Sequence, residues 1–302
     1  MPPDLFPPEA LLRDSAPPLS DYGWRLLADG DSWFSITATG RYSPNLLAEL
    51  RLPRSAAIVN CAAPGHTLQR MVDRRADGHC ERLLHHRRLA RYWDAVLLSA
   101  GGNDLIAAAQ TPPTDAAGAP TPLSLRLLRT AAEVGRATTA ADWISPTGWA
   151  ALAVHLGSEF GIFAGWRNAG PSGARPLLLH TYAVPQVRPA GAGFSPQGWL
   201  FPALAAYGVP PAWQQPVTEL LFQRLRGLLR ALDADSGSPQ AVPGLHVFDS
   251  AALVPLDPAL PTSHGRSGDW INEIHLTAGG YRKVGRAFGA WIAQVMARYD
   301  EG

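Results

Sequence analysis

Five short apolar runs, separated by longer stretches with helical spacing, constrain this chain more than any other feature. The runs are Trp24–Ala28, Ala56–Asn60, Ala95–Ala100, Pro176–Tyr182 and Leu245–Phe248. Each has the length of a buried strand, and several are dense in Val, Ile and Leu. Pro44–Leu52, Thr67–Arg75, Glu81–Tyr92, Trp149–Phe163, Val217–Asp233 and Thr277–Arg298 read as helices. Strands alternating with helices predict a parallel sheet covered on both faces. Ligands bind such sheets beyond the carboxyl ends of the strands, so the residues just after each apolar run matter most.

The remaining sequence sets the frame around that sheet. Residues 1–20 are rich in proline and are expected to run over the surface as an extension. Residues 21–302 show no internal repeat and no second domain. They contain two long insertions, residues 111–147, with a short helix expected at Leu123–Val134, and residues 183–216. The second holds seven prolines together with Phe194, Trp199, Phe201, Tyr207 and Trp213. Insertions of that length are functional covers or linkers, and the aromatics argue for a cover.

Composition excludes several classes. With 302 residues, 46% hydrophobic and 17% charged, the chain is globular and long enough for a large core. A formal net charge of +1 offers no strong field for nucleic acid or an anionic membrane. Trp149–Trp166 is the nearest approach to a membrane span, but His155, Glu159 and three glycines favour a buried helix of a soluble protein. The start of the chain lacks a basic segment followed by an apolar one, so the expectation is a cytoplasmic protein unless a leader has been trimmed. Cys61 and Cys80 lack metal-type spacing and read as free thiols. His79, Cys80, His85 and His86, set among Arg87, Arg88 and Arg91, read as a solvated basic helix face and not as a metal cluster. No metal or organic cofactor is expected.

Taken in order, the strand ends carry complementary chemistry. The first delivers Gly30-Asp31-Ser32, a turn that exposes a hydroxyl. The second leads to Gly65, whose N–H is open to a ligand, and the third to Gly101-Gly102-Asn103-Asp104, where Asn103 offers an amide donor. Asp104 reads as structural, and His180, inside an apolar run, as a core histidine. Near the other terminus, His275 lies two residues before Thr277, a candidate N-cap of the last helix. A hydroxyl, a base and several donors are the parts an acyl-transfer site requires.

This order of Gly30-Asp31-Ser32, Gly65, Asn103 between Gly102 and Asp104, and His275 resembles the SGNH (GDSL-type) hydrolase superfamily, over about residues 24–299. The resemblance implies a three-layer α/β/α sandwich with a central, mostly parallel five-stranded sheet of flavodoxin-like type. It implies Ser32 as nucleophile, His275 as general base, and an oxyanion hole from the Ser32 and Gly65 N–H groups and the Asn103 side chain. Such a site cleaves carboxylic esters through an acyl-enzyme. Deacetylation of carbohydrates, thioester cleavage and acyl transfer use the same residues.

One position departs from the family pattern: Asn272 stands where an aspartate is usual, three residues before the histidine. An asparagine carbonyl, or a backbone carbonyl, is the first expectation for what orients His275, with Asp269 second. An amide NH2 turned to the ring would instead impose the wrong tautomer, and with it a catalytically weak binding module. Trp33, Trp199 and Trp270 are candidates for lining a substrate pocket or stacking on a sugar. A base of ordinary histidine pKa predicts activity that falls below about pH 6–7.

Overall fold

A computed structural model describes residues 1–13, 15–35, 44–76, 78–193 and 195–300; Phe194 lies outside them. Six strands, β1 (Asp4–Phe6), β2 (Trp24–Gly30), β3 (Ala56–Asn60), β4 (Ala95–Ser99), β5 (Leu177–His180) and β6 (Leu245–Phe248), form one sheet. Its order is β1-β3-β2-β4-β5-β6, and every pairing is parallel. Helices cover both sides of it. These are α1 (Ser32–Ser35), α2 (Leu68–Val72), α3 (His79–His85), α4 (Gly102–Gln110), α5 (Ala131–Val134), α6 (Pro146–Ala169), α7 (Leu200–Ala206), α8 (Pro211–Ala231), α9 (Ser250–Leu253) and α10 (Ala278–Asp300).

The expected α/β sandwich is therefore present, with six strands in place of five. The additional strand comes from the proline-rich start. Asp4–Phe6 pairs with Ala57–Val59 at the sheet edge, and Leu52 N–H donates to the Met1 carbonyl at 2.9 Å. Three residues between prolines carry no periodicity that could announce a strand, and an edge strand tolerates flanking prolines. Without β1, the order is the doubly wound one in which the chain reverses direction between the central strand, β2, and its neighbour β4. The crevice at that switch point opens beyond the ends of β2 and β4.

The central strands are apolar because both faces are covered. Leu26, Leu27, Ala28, Ile58, Val59 and the whole Val96–Leu98 run have no exposure. Most expected helices form with shifted ends, and α10 begins where Thr277 Oγ1 accepts the Gly280 N–H at 3.2 Å. Pro44–Leu52 instead forms turns: Asn45 Oδ1 takes the Ala48 N–H at 2.9 Å, a local bond that competes with helix. Within Leu123–Val134 only α5 is helical, because Arg126 gathers the Thr121 and Leu128 carbonyls and the Glu133 carboxylate around itself. In α6 Leu152, Leu156, Phe160 and Phe163 are buried while Val154 is exposed, and no helix among the described residues is long and apolar enough to cross a membrane. Cys61 and Cys80 are both buried and are not joined in a disulfide.

The join between β2 and the following turn depends on contact with β4. A Cβ on Gly30 would lie 2.8 Å from both Cβ and the carbonyl oxygen of Ser99. Gly30→Ala should therefore force β2 and β4 apart and destabilise the fold by about 1–3 kcal/mol, the usual range for overpacking. Chemical denaturation checks this, and an unchanged midpoint would contradict it.

Candidate active site

The Ser32 turn is built from beneath. After β2, the Asp31 N–H donates to the Ser99 carbonyl at 3.1 Å, and α1 starts at once. The Asp31 carboxylate turns into the protein, where it accepts from Ser99 Oγ (2.7 Å), Tyr182 Oη (2.6 Å) and the Trp33 N–H (3.0 Å). His180 extends the network: Nε2 lies 3.0 Å from Ser99 Oγ, and Nδ1 accepts the Tyr182 N–H at 3.2 Å. Since Ser99 donates to Asp31, His180 donates through Nε2–H and is neutral. Burial drives its pKa down to about 3 and raises that of Asp31 to about 6. His180 is thus the bonded core histidine that its apolar run suggested.

With Asp31 facing inward, Ser32 faces the crevice. Its Oγ lies 2.7 Å from His275 Nε2, joining residues 243 apart in the chain. Asn103, in the first turn of α4, donates from Nδ2 to the His66 carbonyl at 2.9 Å. That bond ties the strand-end amide to the loop of Gly65, whose φ of +78° suits a glycine. The same loop is held to β2, the strand that leads to Ser32, by Ala63 N–H on the Gly30 carbonyl (3.0 Å), and to α4 by Leu68 N–H on Asp104 Oδ2 (2.9 Å). Asp104 is structural in this sense. Ser32 and Asn103 both line a cavity of about 20 Å3, with Ile106, Tyr182, Phe222 and Ile274 also in its lining. Gly65 is not part of that lining.

The histidine's partner is Asn272, the residue first expected, but through the other end of its amide. Asn272 Oδ1 accepts the backbone N–H groups of Ile274 (3.1 Å) and His275 (2.8 Å). The carbonyl is thereby occupied, and Nδ2 faces His275 Nδ1 at 3.0 Å. No backbone carbonyl among the described residues bonds to Nδ1 in its place. Asp269 does not reach the ring either: it accepts from Lys283 Nζ (2.6 Å) and the Asp257 N–H (2.7 Å). Burial lowers the His275 pKa to about 4.

Three tryptophans singled out in the sequence separate here. Trp33 lines the cavity while stacking on His180, with ring centroids 5.4 Å apart. Trp199 and His275 meet at right angles, with ring centroids 5.5 Å apart. Trp270 is 2% exposed and is not part of the cavity lining.

Three positions that shape the site escaped the sequence. Tyr182 has a φ of +64°, a strained conformation for a tyrosine, which aims its hydroxyl at Asp31 and its ring at the cavity. It ends an apolar run, so the strand-end rule could have found it. Glu273 has no exposure, and its carboxylate accepts the N–H groups of Trp199, Leu200 and Phe201 at the start of α7. Burial outweighs those bonds and raises its pKa to about 7. Arg188, 1% exposed, donates to the Asn272 carbonyl at 2.9 Å. Nothing in the sequence marked these two, because their meaning lies in which loop they meet.

Elsewhere, His79 pairs with Glu9 and His85 with Glu81. Asp233, Asp235 and His246 are close enough to hold a metal ion, but the Arg298 guanidinium already donates to Asp235 (2.8 Å) and His246 (3.3 Å).

No protein-family model matches the chain, and no curated protein matches it. Among solved structures, an extracellular lipase from Streptomyces rimosus is 13% identical, with 91% of this chain and 99% of that one covered and a TM-score of 0.47. An aryl esterase from M. smegmatis is 14% identical, covering 90% and 100%, at 0.43. A carbohydrate acetylesterase from Sinorhizobium meliloti is 16% identical, covering 90% and 99%, at 0.40.

His275 should titrate at about 4 instead of near the ordinary histidine value of about 6.5. The neutral ring then persists to low pH in the folded protein, and its contribution to stability is lost as pH falls from the unfolded value through about 4. NMR titration of the imidazole checks this; a midpoint near 6.5 would contradict it.

Proposed function

We propose that this protein is a serine ester hydrolase of the SGNH (GDSL) kind, selective for small acyl groups. The observation that carries this reading is the 2.7 Å hydrogen bond between Ser32 Oγ and His275 Nε2, beside a cavity that Ser32 shares with Asn103. In the reacting tautomer His275 takes the Ser32 proton as Oγ attacks the ester carbonyl. The C–O bond to the leaving alcohol breaks with return of that proton, leaving an acyl group on Ser32. Water, activated by the same nitrogen, then releases the carboxylic acid and restores Ser32.

Asn103 supports the charged intermediate. One of its two amide hydrogens is engaged by the His66 carbonyl, and the second is available to an oxyanion. The Ser32 and Gly65 N–H groups complete the set. Each such donor lowers the barrier by about 2.7–4 kcal/mol. With the His275 pKa at about 4, the base is in its neutral form well below pH 6, so kcat/KM should lose its acid limb only near 4.

Cavity size sets the acyl group. A volume of about 20 Å3 accepts one water-sized group, as a methyl is, and Phe222, Ile106 and Tyr182 stand in the lining that a longer chain would meet. Acetyl esters are thus the favoured substrates.

A fluorophosphonate probe should form an adduct on Ser32 that Ser32→Ala abolishes; no adduct on the folded protein would overturn the enzyme reading. Across nitrophenyl esters, each added methylene should lower kcat/KM by about tenfold or more. Phe222→Ala should relax that slope, and a preference for palmitate in the unmodified protein would overturn the small-acyl assignment.

A further inference from the structure

We infer that Asn272 is a positioning residue that holds His275 in the tautomer opposite to the one the reaction needs, so that the Ser32 site rests in a slow state which a carboxylate at position 272 would release. The inference rests on the ester-hydrolase reading for its kinetic consequence, but not for its chemistry.

The chemistry follows from which groups can donate. Asn272 Oδ1 lies 3.1 Å from the Ile274 nitrogen and 2.8 Å from the His275 nitrogen. Both are backbone N–H groups, which cannot accept. Rotating the amide by half a turn would set its NH2 against two donors and leave both without an acceptor. Nδ2 is therefore the atom at 3.0 Å from His275 Nδ1. An amide nitrogen only donates, so Nδ1 must present its lone pair. A neutral imidazole carries one proton, and it is then on Nε2.

That proton points at Ser32 Oγ, 2.7 Å away. The serine oxygen accepts, and its own proton has no base. For His275 to act, the proton must sit on Nδ1, which opposes N–H to N–H across 3.0 Å and forfeits the bond to Asn272. No other described group relieves this. The groups facing the ring are Ser32, Asn272 and the Trp199 indole. The Asp269 carboxylate is engaged by Lys283 and the Asp257 N–H, and that of Glu273 by the first N–H groups of α7.

The turn from Asn272 to His275 is already shaped for a carboxylate. One oxygen of an aspartate would accept the two backbone N–H groups as Oδ1 does now, and the other would accept from Nδ1–H. Nε2 would then offer its lone pair to the Ser32 proton. The change is isosteric and asks for no movement of the backbone.

Histidine-selective 15N NMR reads the tautomer directly. In the unmodified protein at neutral pH, His275 should show a protonated Nε2 and a bare Nδ1, and Asn272→Asp should invert the pair. Turnover of an acetyl ester by Asn272→Asp should rise by about 10²- to 10⁴-fold, mostly in kcat, in line with the loss that an asparagine causes in Ser-His-Asp sites. A protonated Nδ1 in the unmodified protein overturns the inference. So does an inverted tautomer in Asn272→Asp with kcat unchanged or lower.

Asn272→Ala gives an independent check, because it removes the donor without supplying an acceptor. Its kcat should equal or exceed that of the unmodified protein, and a tenfold loss in a folded variant overturns the inference. If the tautomers behave as stated but Ser32 in Asn272→Asp takes no fluorophosphonate, the assignment of Asn272 stands and the ester-hydrolase reading fails.

Discussion

The attachment of the Asp269–Thr277 segment to residues 186–190 and to the start of α7 is the constraint on which the site depends. Two buried polar side chains make it. Glu273 gathers three backbone N–H groups at the start of α7, and Arg188 binds the carbonyl of Asn272. Backbone bonds run alongside, from the Gln186 N–H to the Glu273 carbonyl (3.0 Å) and from the Glu273 N–H to the Ala190 carbonyl (2.8 Å). Burying a charge is costly unless its hydrogen bonds are met, and each bond left unmet here would cost about 1–3 kcal/mol. The segment has little freedom as a result, and His275 is held within hydrogen-bond reach of a serine at the far end of the sequence.

Below the site a second polar network does the same for Ser32. Asp31 is adjacent to Ser32, yet its side chain points the other way, into Ser99, Tyr182 and through Ser99 to His180. Strands β2, β4 and β5 thus share one buried set of hydrogen bonds directly under the turn. The positive φ of Tyr182 is the local strain this requires, and the absence of a side chain on Gly102 leaves room for its ring. One residue therefore both stabilises the floor of the site and bounds the cavity above it.

Much of this was legible from local pattern. The apolar runs marked five strands because a strand buried on both faces has to be apolar, whatever its neighbours. Ser32, Asn103 and His275 stood out because chemically useful residues followed successive strand ends. Gly65 lies in the right loop, tied to Asn103 through His66, but outside the cavity lining. The strand of residues 4–6 and the turns at 44–52 were illegible for a different reason. Each is decided by a partner distant in the chain or by a single side chain capturing a backbone N–H, and neither leaves a period in the sequence.

The sequence by itself determined the parallel α/β sheet and the kinds of group brought to its carboxyl edge, since strand burial and residue chemistry are local properties. Only the tertiary structure decided how those groups act on one another. It left a cavity of about 20 Å3 beside Ser32, buried His275 enough to bring its pKa to about 4, and turned the Asn272 amide so that its NH2 faces the ring. Volume and desolvation depend on all the elements packed around the site. The direction of the amide depends on two N–H groups that the fold of a single turn presents to one oxygen.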